Sequence, residues 1–599
     1  MRENRLIIAA RADGFGERML AFLNAIYISK TCGLEFKYIW LDFSEKSKND
    51  KGILMSQANL ASECHIFSKS FIKKNSYNSK INFIPTDGLG LFLRHKKYYL
   101  KKILTYPPSS KLGYLSTQYD LSKICIDVDE KHYYNQIVDI WKSIDFSKEI
   151  LKVQNIANTY CLNLNFNAMH IRSGDILFQE RIHFLYDGRE KALCLHLAIE
   201  VIRLELIKGN NIIIFTDDLK NIKNFIKHIN ENFTNERQGK IILMDDIVKG
   251  FNFSPVQRTF FEITVMSNAN IIYASGKSGF SNLACRIRNK ANIISVYKMF
   301  STKEKYILIK KYMNILNNIH PFYKSFACLH LYLLSDKLKL NFQEQKKYLK
   351  EGLQYDPENL IFYFFYIYIL CKENKIIKVE NILAKLFVKQ YFKEHFLAYL
   401  LNISPYNYSF MYSHVLKELL KKVNFSLPCS SYIVYRFILK MQHDKNINIH
   451  FNHINEKINI EKKIQYFKNT LFIYSEMFSG TLFFSSGAVD RIKNQLSYKI
   501  GNKIIKSKGF FDFIILPFSI LLLVYRHKRF ISINKFLTSI NNHSLKTLPL
   551  EQYSDYKEAI KIKNQLSYKI GNCIIKHPFT FLFRLNKVYK EWKYERKVG

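Results

Sequence analysis

The chain has 599 residues, too many for one hydrophobic core, so we expect roughly two to four domains. Lysine and arginine number 90 against 50 aspartate and glutamate residues, and the formal net charge of +40 favours an anionic partner. An excess of Lys with Asn, Ile, Tyr and Phe is also typical of AT-rich genomes, and no aromatic-basic recognition motif accompanies it, so nucleic-acid binding is not expected.

The ten cysteines are scattered singly, with no CxxC pair and no Cys/His group at metal-ligand spacing. This pattern predicts reduced thiols and argues against a structural zinc site. The apolar stretch near the start, Leu6–Ala10, is too short for the hydrophobic part of a secretory signal. We therefore expect a cytoplasmic protein.

The first predicted elements are a strand, a tight loop, a helix and a second strand. Leu6–Ala10 is followed by a turn at 12–16, by apolar residues at helical spacing from Met19 to Tyr27, and by the strand Phe36–Leu41. This order indicates a βαβ unit with parallel strands. We assign residues 1–160 to a first, Rossmann-like domain on the acceptor side.

A second alternation of strands and helices begins near Phe166. The first predicted strand runs from Phe166 into the hexapeptide HIRSGD (170–175), and the others are Asn211–Phe215, Lys240–Met244 and Ile271–Ala274. Helices are predicted near 193–207 and 259–267. Two such alternations predict two α/β domains that face each other, and we assign residues 161–304 to the second one.

From about residue 305 the apolar spacing is helical, and residues 305–480 are predicted to form a helical region. Helix starts near Ala327 and Ile361 lie 34 residues apart, with a corner at Asp356–Asn359. The spacing resembles a tetratricopeptide helical pair, and a generic helical bundle explains it equally well.

The basic tail, residues 481–599, contains a duplication. Residues 492–506 read IKNQLSYKIGNKIIK and residues 562–576 read IKNQLSYKIGNCIIK, with one difference in fifteen. The apolar segment between them, 510–525, is too short to span a bilayer. From 491 to 599 there are 22 Lys and Arg against 6 Asp and Glu, which favours an anionic membrane surface as partner. The alternative is a basic helical bundle around a buried apolar helix. The sequence leaves open whether the duplicated element binds lipid, glycan or its own copy.

The hexapeptide HIRSGD lies where a ligand is expected, because parallel α/β sheets bind ligands beyond the carboxyl ends of their strands. His170 and Arg172 are two residues apart and so leave the strand on one face. A guanidinium can bind two oxygens of a diphosphate at once. Gly174 would permit the turn and Asp175 would pair with Arg172 or the loop backbone. Taken alone, the hexapeptide is more typical of a structural His and Arg paired with Asp175.

Three motifs in order make residues 1–300 resemble the fucosyltransferase superfamily, which includes the α1,2- and α1,6-fucosyltransferases, the nodulation fucosyltransferases and the protein O-fucosyltransferases. The first is a Gly-x-Gly-Asn-Arg-like loop, here Gly14–Arg18, and the second is His-x-Arg-x-(Gly/Thr)-Asp, here His170–Asp175. The third is a strand ending in Thr216-Asp217 with a later Ser/Thr-Phe-Ser segment, here Gly279-Phe280-Ser281.

The resemblance implies an inverting GT-B transferase, built from two Rossmann-like domains, that uses GDP-fucose without a metal or other cofactor. On matching positions, Arg172 would hold the β-phosphate and His170 and Asp217 would bind guanine, whose two donors a carboxylate can accept. Phosphate and loop contacts would come from Ser278, Gly279, Phe280 and Ser281 at a helix start and from Gly14, Gly16 and Arg18.

Inversion requires a base that takes the proton of the acceptor hydroxyl. Asp13 occupies the place where some protein O-fucosyltransferases have a Glu in this role, so Asp13 is the first candidate and Glu17 the second. Alternatively, Asp13 only caps the following helix. Two positions depart from the family pattern: Glu17 replaces an Asn and Gly279 replaces a Ser or Thr. No metal is expected, because Arg172 and helix amides would offset the charge of the diphosphate. Asp217 and Asp218 are adjacent in sequence, so their side chains point apart and would not form a metal pair.

We therefore expect an α/β protein with a GT-B-like pair of domains, a helical region and a basic helical tail. Its expected function is transfer of fucose from GDP-fucose to a surface glycan such as a capsule, lipopolysaccharide or glycoprotein precursor. A lipid-linked glycan acceptor at the inner face of the cytoplasmic membrane would explain the tail. The alternatives are a transferase that uses another GDP-sugar and a non-catalytic scaffold with a degenerate transferase domain.

Overall fold

The computed structural model contains two compact units, residues 1–363 and 364–599. The residues that the structure describes are 6–11, 13–40, 61–77, 98–106, 113–178, 190–233, 238–288, 292–316, 318–388, 390–402, 412–422, 427–443, 488–493, 495–507, 509, 512, 515–525, 527–528, 550–552, 555–578 and 580–598.

A three-stranded parallel sheet opens the first unit. Its strands are β2 (Glu35–Tyr38), β1 (Leu6–Ala9) and β3 (Tyr114–Leu115), in that spatial order, so β1 is central. Helix α1 (Phe15–Cys32) connects β1 to β2, which confirms the predicted βαβ unit. The other helices of this part are α2 (Lys69–Asn75), α3 (Leu121–Ile124), α4 (Glu130–Ser143) and α5 (Lys148–Cys161), with 3-10 turns at Glu63–His65 and Leu100–Thr105.

A five-stranded parallel sheet follows, in the spatial order β6, β5, β4, β7, β8. Its central strand β4 (Phe166–Ile171) is buried along its whole length, as expected for a parallel strand covered on both faces. The remaining elements are α6 (Gly174–Leu177), α7 (Leu195–Ile207), β5 (Asn211–Thr216), α8 (Leu219–Phe233), β6 (Ile241–Leu243), α9 (Met244–Val248), α10 (Pro255–Ser267), β7 (Ile271–Ala274), α11 (Gly279–Arg288) and β8 (Asn292–Ser295).

The chain winds outwards from β4 in both directions: β5 and β6 lie on one side, and β7 and β8 on the other. The order therefore reverses between β4 and β7. In open parallel sheets a ligand binds in the crevice at such a reversal, beyond the carboxyl ends of the strands. In the first sheet β2 and β3 lie on opposite sides of β1, so the order reverses beside β1. The loop after β1 is therefore the position in this sheet that is equivalent to the crevice of the second sheet.

Helices between the two sheets share one apolar core. Ile7 of β1, Phe22 of α1, Phe260 of α10 and Leu283 of α11 are all at most 1% exposed and belong to one contiguous cluster. At about 25 cal/mol per Å² of buried apolar surface, a core of this kind is the main stabilising contribution to this part of the unit.

Helices follow the second sheet. Helices α14 and α15 pack against each other, and a Cβ at Gly352 of α15 would lie 2.2 Å from the ring of Phe362, so the next helix depends on this glycine. The tetratricopeptide assignment stays a prediction. The helices from 296 to 443 are α12 (Val296–Met299), α13 (Thr302–Met313), α14 (Pro321–Lys337), α15 (Phe342–Tyr355), α16 (Leu360–Lys372), α17 (Ile376–Val388), α18 (Gln390–Leu400), α19 (Ser413–Lys422) and α20 (Pro428–His443).

The duplicated elements of the tail pack against each other. A Cβ at Gly501 would lie 1.6 Å from the carbonyl oxygen of Ser567, and a Cβ at Gly571 would lie 1.7 Å from that of Ser497. The two backbones therefore touch where both helices carry a glycine, so the element binds its own copy. The tail helices are α21 (Ala488–Lys493), α22 (Leu496–Lys506), α23 (Tyr556–Lys563), α24 (Leu566–Lys576) and α25 (Phe581–Val598).

The one difference between the copies coincides with a difference in exposure. Helix α25 packs against α24 of the second copy, where Cys573 is 7% exposed, while Lys503 at the equivalent position of the first copy is exposed. A cysteine suits the covered position because it behaves as a small apolar residue, and a lysine suits the open one.

The described part of the apolar segment, residues 515–525, is helical and exposed. Phe518 is 72% exposed and Leu521 is 66% exposed, so a buried apolar helix does not fit these residues. Within the described ranges, no helix is both long enough and apolar enough to cross a bilayer.

Candidate functional site

The candidate site lies where β4 and β7 end side by side. The two strands pair in parallel, with Met169 opposite Tyr273, so the residues that follow each strand leave the sheet at the same edge. These are the last four residues of the hexapeptide HIRSGD, Arg172–Asp175, after β4, and the segment Ser275–Ser281 after β7. Both predicted donor-site motifs therefore meet at the reversal of the second sheet.

His170 and Arg172 lie at the end of β4 as predicted. His170 is 8% exposed, and its ring centroid lies 5.5 Å from that of Phe280, which begins the helix on the other side of the crevice. Arg172 is partly exposed, and its carbonyl oxygen accepts a hydrogen bond of 3.0 Å from the Leu193 amide. This bond fixes the backbone that carries the guanidinium.

Helix α11 begins at Gly279, directly after Ser278, so the predicted helix start is confirmed. Ser278 is 1% exposed, and its hydroxyl has no hydrogen-bond partner in the described part of the chain. Ser281 is fully buried and donates to the carbonyl of Ser278 at 3.2 Å. The first amides of a helix carry partial positive charge and favour an anion.

The backbone before α11 requires a glycine at position 276. Gly276 has a φ of +90°, and a Cβ there would lie 2.9 Å from the Cβ of Ser295. Any larger residue would be strained and would push the segment Ser275–Ser278 away from β8.

The segment Gly14–Arg18, predicted as a loop, is instead the N-cap and first turn of α1, and it contacts the start of α11. A Cβ at Gly16 would lie 2.3 Å from the carbonyl carbon of Gly279 and 2.4 Å from the amide nitrogen of Phe280, so the two backbones touch. The first and third motifs, more than 260 residues apart in sequence, are therefore neighbours in the fold.

Arg18 holds the loop from inside. It is 3% exposed, its Nε donates to the carbonyl oxygen of Asp13 at 3.0 Å, and its guanidinium lies 5.1 Å from the ring centroid of Trp40. These contacts make Arg18 a positioning residue for the segment that precedes α1. Gly14 is the N-cap of α1 and has no side chain to bond the helix amides.

The two candidate bases differ in their partners. The Asp13 carboxylate accepts from Nε of Arg11 at 2.9 Å and forms an ion pair with the same guanidinium. It does not cap α1, because Gly14 is the N-cap, so the alternative role as a helix cap is wrong. Burial raises the pKa of Glu17, as does the nearby Asp13 charge, while Arg11, Lys191 and Arg172 oppose the rise.

Asp217 supports the loop that carries Arg172. Its Oδ1 accepts from the amides of Ser173 at 2.9 Å and Gly174 at 3.0 Å. A Cβ at Gly174 would lie 3.2 Å from the carbonyl oxygen of Asp217, and close approach thus favours the glycine. The guanine contact proposed for Asp217 stays a prediction. The side chain of Asp175 lies outside the described residues.

Asp218 points to other partners, as expected for adjacent positions. Its Oδ2 accepts from the hydroxyl of Tyr323 at 2.7 Å and from Nδ2 of Asn221 at 2.8 Å. In the described ranges, no group of three or more His, Cys, Asp and Glu side chains is arranged to hold a metal ion.

Tyr323 is the principal site residue that the sequence did not indicate. It lies on α14, is 1% exposed, and its hydroxyl is 2.7 Å from Oγ of Ser173 as well as bonding Asp218. Burial, followed by the charge of Asp218, raises its pKa well above the ordinary value. No sequence signal marks a tyrosine 150 residues from its partner, whereas Arg11, two residues after the end of β1, could have been noted as a strand-end cation.

The comparisons with known proteins are as follows. Residues 413–594, less than half of the chain, match a family model described as Domain of unknown function (DUF8374). No curated protein matches the chain. Among solved structures, it is similar to fucosyltransferase NodZ from Bradyrhizobium, with 11% identity and a TM-score of 0.28 over 49% of this chain and 96% of that chain.

Two further solved structures give similar values. NodZ alpha-1,6-fucosyltransferase co-crystallized with GDP is 11% identical, with a TM-score of 0.28 over 49% of this chain and 94% of that chain. POFUT1 in complex with GDP-fucose is 12% identical, with a TM-score of 0.28 over 49% of this chain and 98% of that chain. At such values the similarity establishes neither a shared fold nor a shared activity.

Proposed function

We propose that the chain is an inverting, metal-independent glycosyltransferase that moves a sugar, with fucose as the first candidate, from a GDP-sugar to a glycan. The observation that supports this most is the meeting of three polar elements: the Arg172 loop, the start of α11 and the start of α1 at Gly14–Arg18. A guanidinium and the first amides of a helix are both groups that suit a diphosphate.

In this proposal the two parallel sheets are the two Rossmann-like domains of a GT-B fold. Arg172 binds the β-phosphate and stabilises the negative charge that develops on departing GDP, and the amides of Gly279 and Phe280 bind the phosphate oxygens. His170 lies against Phe280, at the side of the crevice where the guanine ring would stack in this proposal. Asp217 keeps the Arg172 loop in place and is the proposed reader of guanine.

Binding of GDP-fucose by the full chain tests the donor site. Titration calorimetry with GDP-fucose, GDP-mannose and UDP-glucose should show binding of the GDP-sugars, and Arg172→Ala should weaken it by roughly a hundredfold, the loss of about 3 kcal/mol from a charge-assisted pair. Arg172→Lys keeps the charge without the bidentate geometry and should fall between the two. Binding of UDP-glucose alone would refute the guanine assignment.

A scaffold without catalytic activity predicts a different result. It would bind none of the three nucleotide sugars, and Arg172→Ala would behave as wild type in every assay. A transferase that uses another GDP-sugar predicts tighter binding of GDP-mannose than of GDP-fucose.

We further propose that the tail binds an anionic membrane surface on the cytoplasmic side and brings the transferase to a lipid-linked glycan acceptor. The exposed apolar side chains of 515–525 lie in a tail with a large excess of lysine and arginine. Two contributions favour such binding: apolar side chains enter the lipid interface, and basic residues attract anionic headgroups.

Cosedimentation of the full chain with phosphatidylglycerol vesicles tests this role of the tail. Phe518→Ser with Leu521→Ser should lower vesicle binding by roughly tenfold or more, since a large apolar side chain contributes about 1.5–3 kcal/mol when fully buried. Leu162→Ser is the matched control, because Leu162 is 76% exposed but lies in the first unit. Equal binding of both variants would contradict the proposal.

A further inference from the structure

The two positions that depart from the resembled family, Glu17 and Gly279, are in contact. A Cβ at Gly279 would lie 2.7 Å from the carboxyl carbon of Glu17 and 2.8 Å from its backbone nitrogen. The absence of a side chain at 279 therefore leaves the space that Glu17 occupies. The contact places the Glu17 carboxyl at the start of α11, beside the proposed diphosphate position.

The charges around Glu17 come from both sides of the crevice. Asp13 and Arg11 lie on the loop after β1, Lys191 lies before α7, and Arg172 lies after β4. Glu17 is partly buried, and desolvation is the largest influence on its protonation. A carboxylate that is half removed from water, and within the field of the cation proposed to bind the leaving group, has the setting of a general base.

The competing carboxylate, Asp13, is bound differently. Its two oxygens face the guanidinium of Arg11 in the same loop, and its backbone carbonyl accepts from Arg18. An acceptor hydroxyl would therefore have to compete with the Arg11 guanidinium for the oxygens of Asp13.

We propose that Glu17, and not Asp13, is the catalytic base that takes the proton of the acceptor hydroxyl. This inference rests on the proposed function. The acceptor O–H proton passes to the Glu17 carboxylate while the acceptor oxygen forms a bond to the anomeric carbon. The bond from that carbon to the β-phosphate oxygen breaks, and its electron pair leaves with GDP, held by Arg172. With water as acceptor the same step yields GDP and the free sugar.

Hydrolysis of GDP-fucose by the full chain, measured across pH, tests the assignment without knowledge of the natural acceptor. Glu17→Gln should keep the GDP affinity and lower the hydrolysis rate by roughly a hundredfold or more. In wild type the rate should fall on the acid side as Glu17 becomes protonated, and this acid limb should disappear in Glu17→Gln. Asp13→Asn, the competing candidate, should retain the acid limb but shift it to lower pH, because the Asp13 charge raises the pKa of Glu17.

The outcomes separate the two proposals. If wild type hydrolyses GDP-fucose and Glu17→Gln does so at the same rate with the same acid limb, Glu17 is not the base, while the proposed function stands. Loss of the acid limb in Asp13→Asn alone would assign the role to Asp13. A wild type that neither binds nor hydrolyses the nucleotide sugar would overturn the proposed function and this inference with it.

Discussion

Replacement of Gly501 by alanine tests the pairing of the duplicated tail helices. Two effects oppose each other in this substitution. Within an isolated helix, alanine is more favourable than glycine by about 1 kcal/mol. In the folded tail, the added Cβ would lie 1.6 Å from the carbonyl oxygen of Ser567, where ordinary contacts begin at 3.4 Å.

The steric effect should exceed the gain in helix propensity. The obstructing atom is a backbone oxygen, which cannot turn away as a side chain can, so α22 and α24 would have to separate by roughly 2 Å and lose their close packing. Overpacking of this kind costs typically about 1–3 kcal/mol, and more when backbone must move. We expect a net loss of about 2 kcal/mol.

Hydrogen exchange of the full chain, followed by mass spectrometry, measures this loss locally. A destabilisation of about 2 kcal/mol should accelerate amide exchange by roughly thirtyfold in both helices, 496–506 and 566–576, although only one is altered. Gly509→Ala is the matched control, since its added Cβ has no neighbour closer than 3.8 Å among the residues that the structure describes. Faster exchange in the substituted helix alone, or equal effects of the two variants, would refute the pairing.

Three further predictions concern the site and the tail. Tyr323→Phe leaves the fully buried Ser173 without its hydroxyl partner and should cost about 1–3 kcal/mol in thermal unfolding, together with weaker GDP binding. Because the pKa of Glu17 is raised on folding, its ionisation costs stability as pH rises through the folded value. Glu17→Gln should thus raise the melting temperature at about pH 8 and lose this advantage near about pH 4; a constant difference would contradict it. Cys573→Lys should lower the melting temperature, while Lys503→Cys should leave it nearly unchanged.

Strands β4 and β7 of the second sheet were predictable because they are apolar and mostly buried. The predicted Ile271–Ala274 coincides with β7, and the run from Phe166 coincides with the start of β4. Strand β3 has only two residues, and its existence depends on pairing with β1, so no local pattern marks it. Strand β8 has partly exposed residues and lacks the continuous apolar character of its neighbours.

The residue types of the candidate site could be predicted, but not their partners. His170 and Arg172 lie at the end of β4, as their 2-residue spacing had indicated. The contact of Gly16 with Gly279 arises only when two sheets share one core, and a glycine in the sequence does not reveal what approaches it. For the same reason the bond from Tyr323 to Ser173 was not foreseen, since it joins a helix of the 305–480 region to the loop after β4.

The paired tail helices have a consequence for the association of this chain with itself. Each copy carries the same small-residue surface, so either helix fits the corresponding helix of a second molecule as well as its own relative. Covalent linkage favours the internal partner, because it acts at an effective concentration of about millimolar. Deletion of one copy removes that advantage and leaves a glycine surface to be covered by another molecule. A chain shortened in this way is expected to exchange helices and form a symmetric dimer.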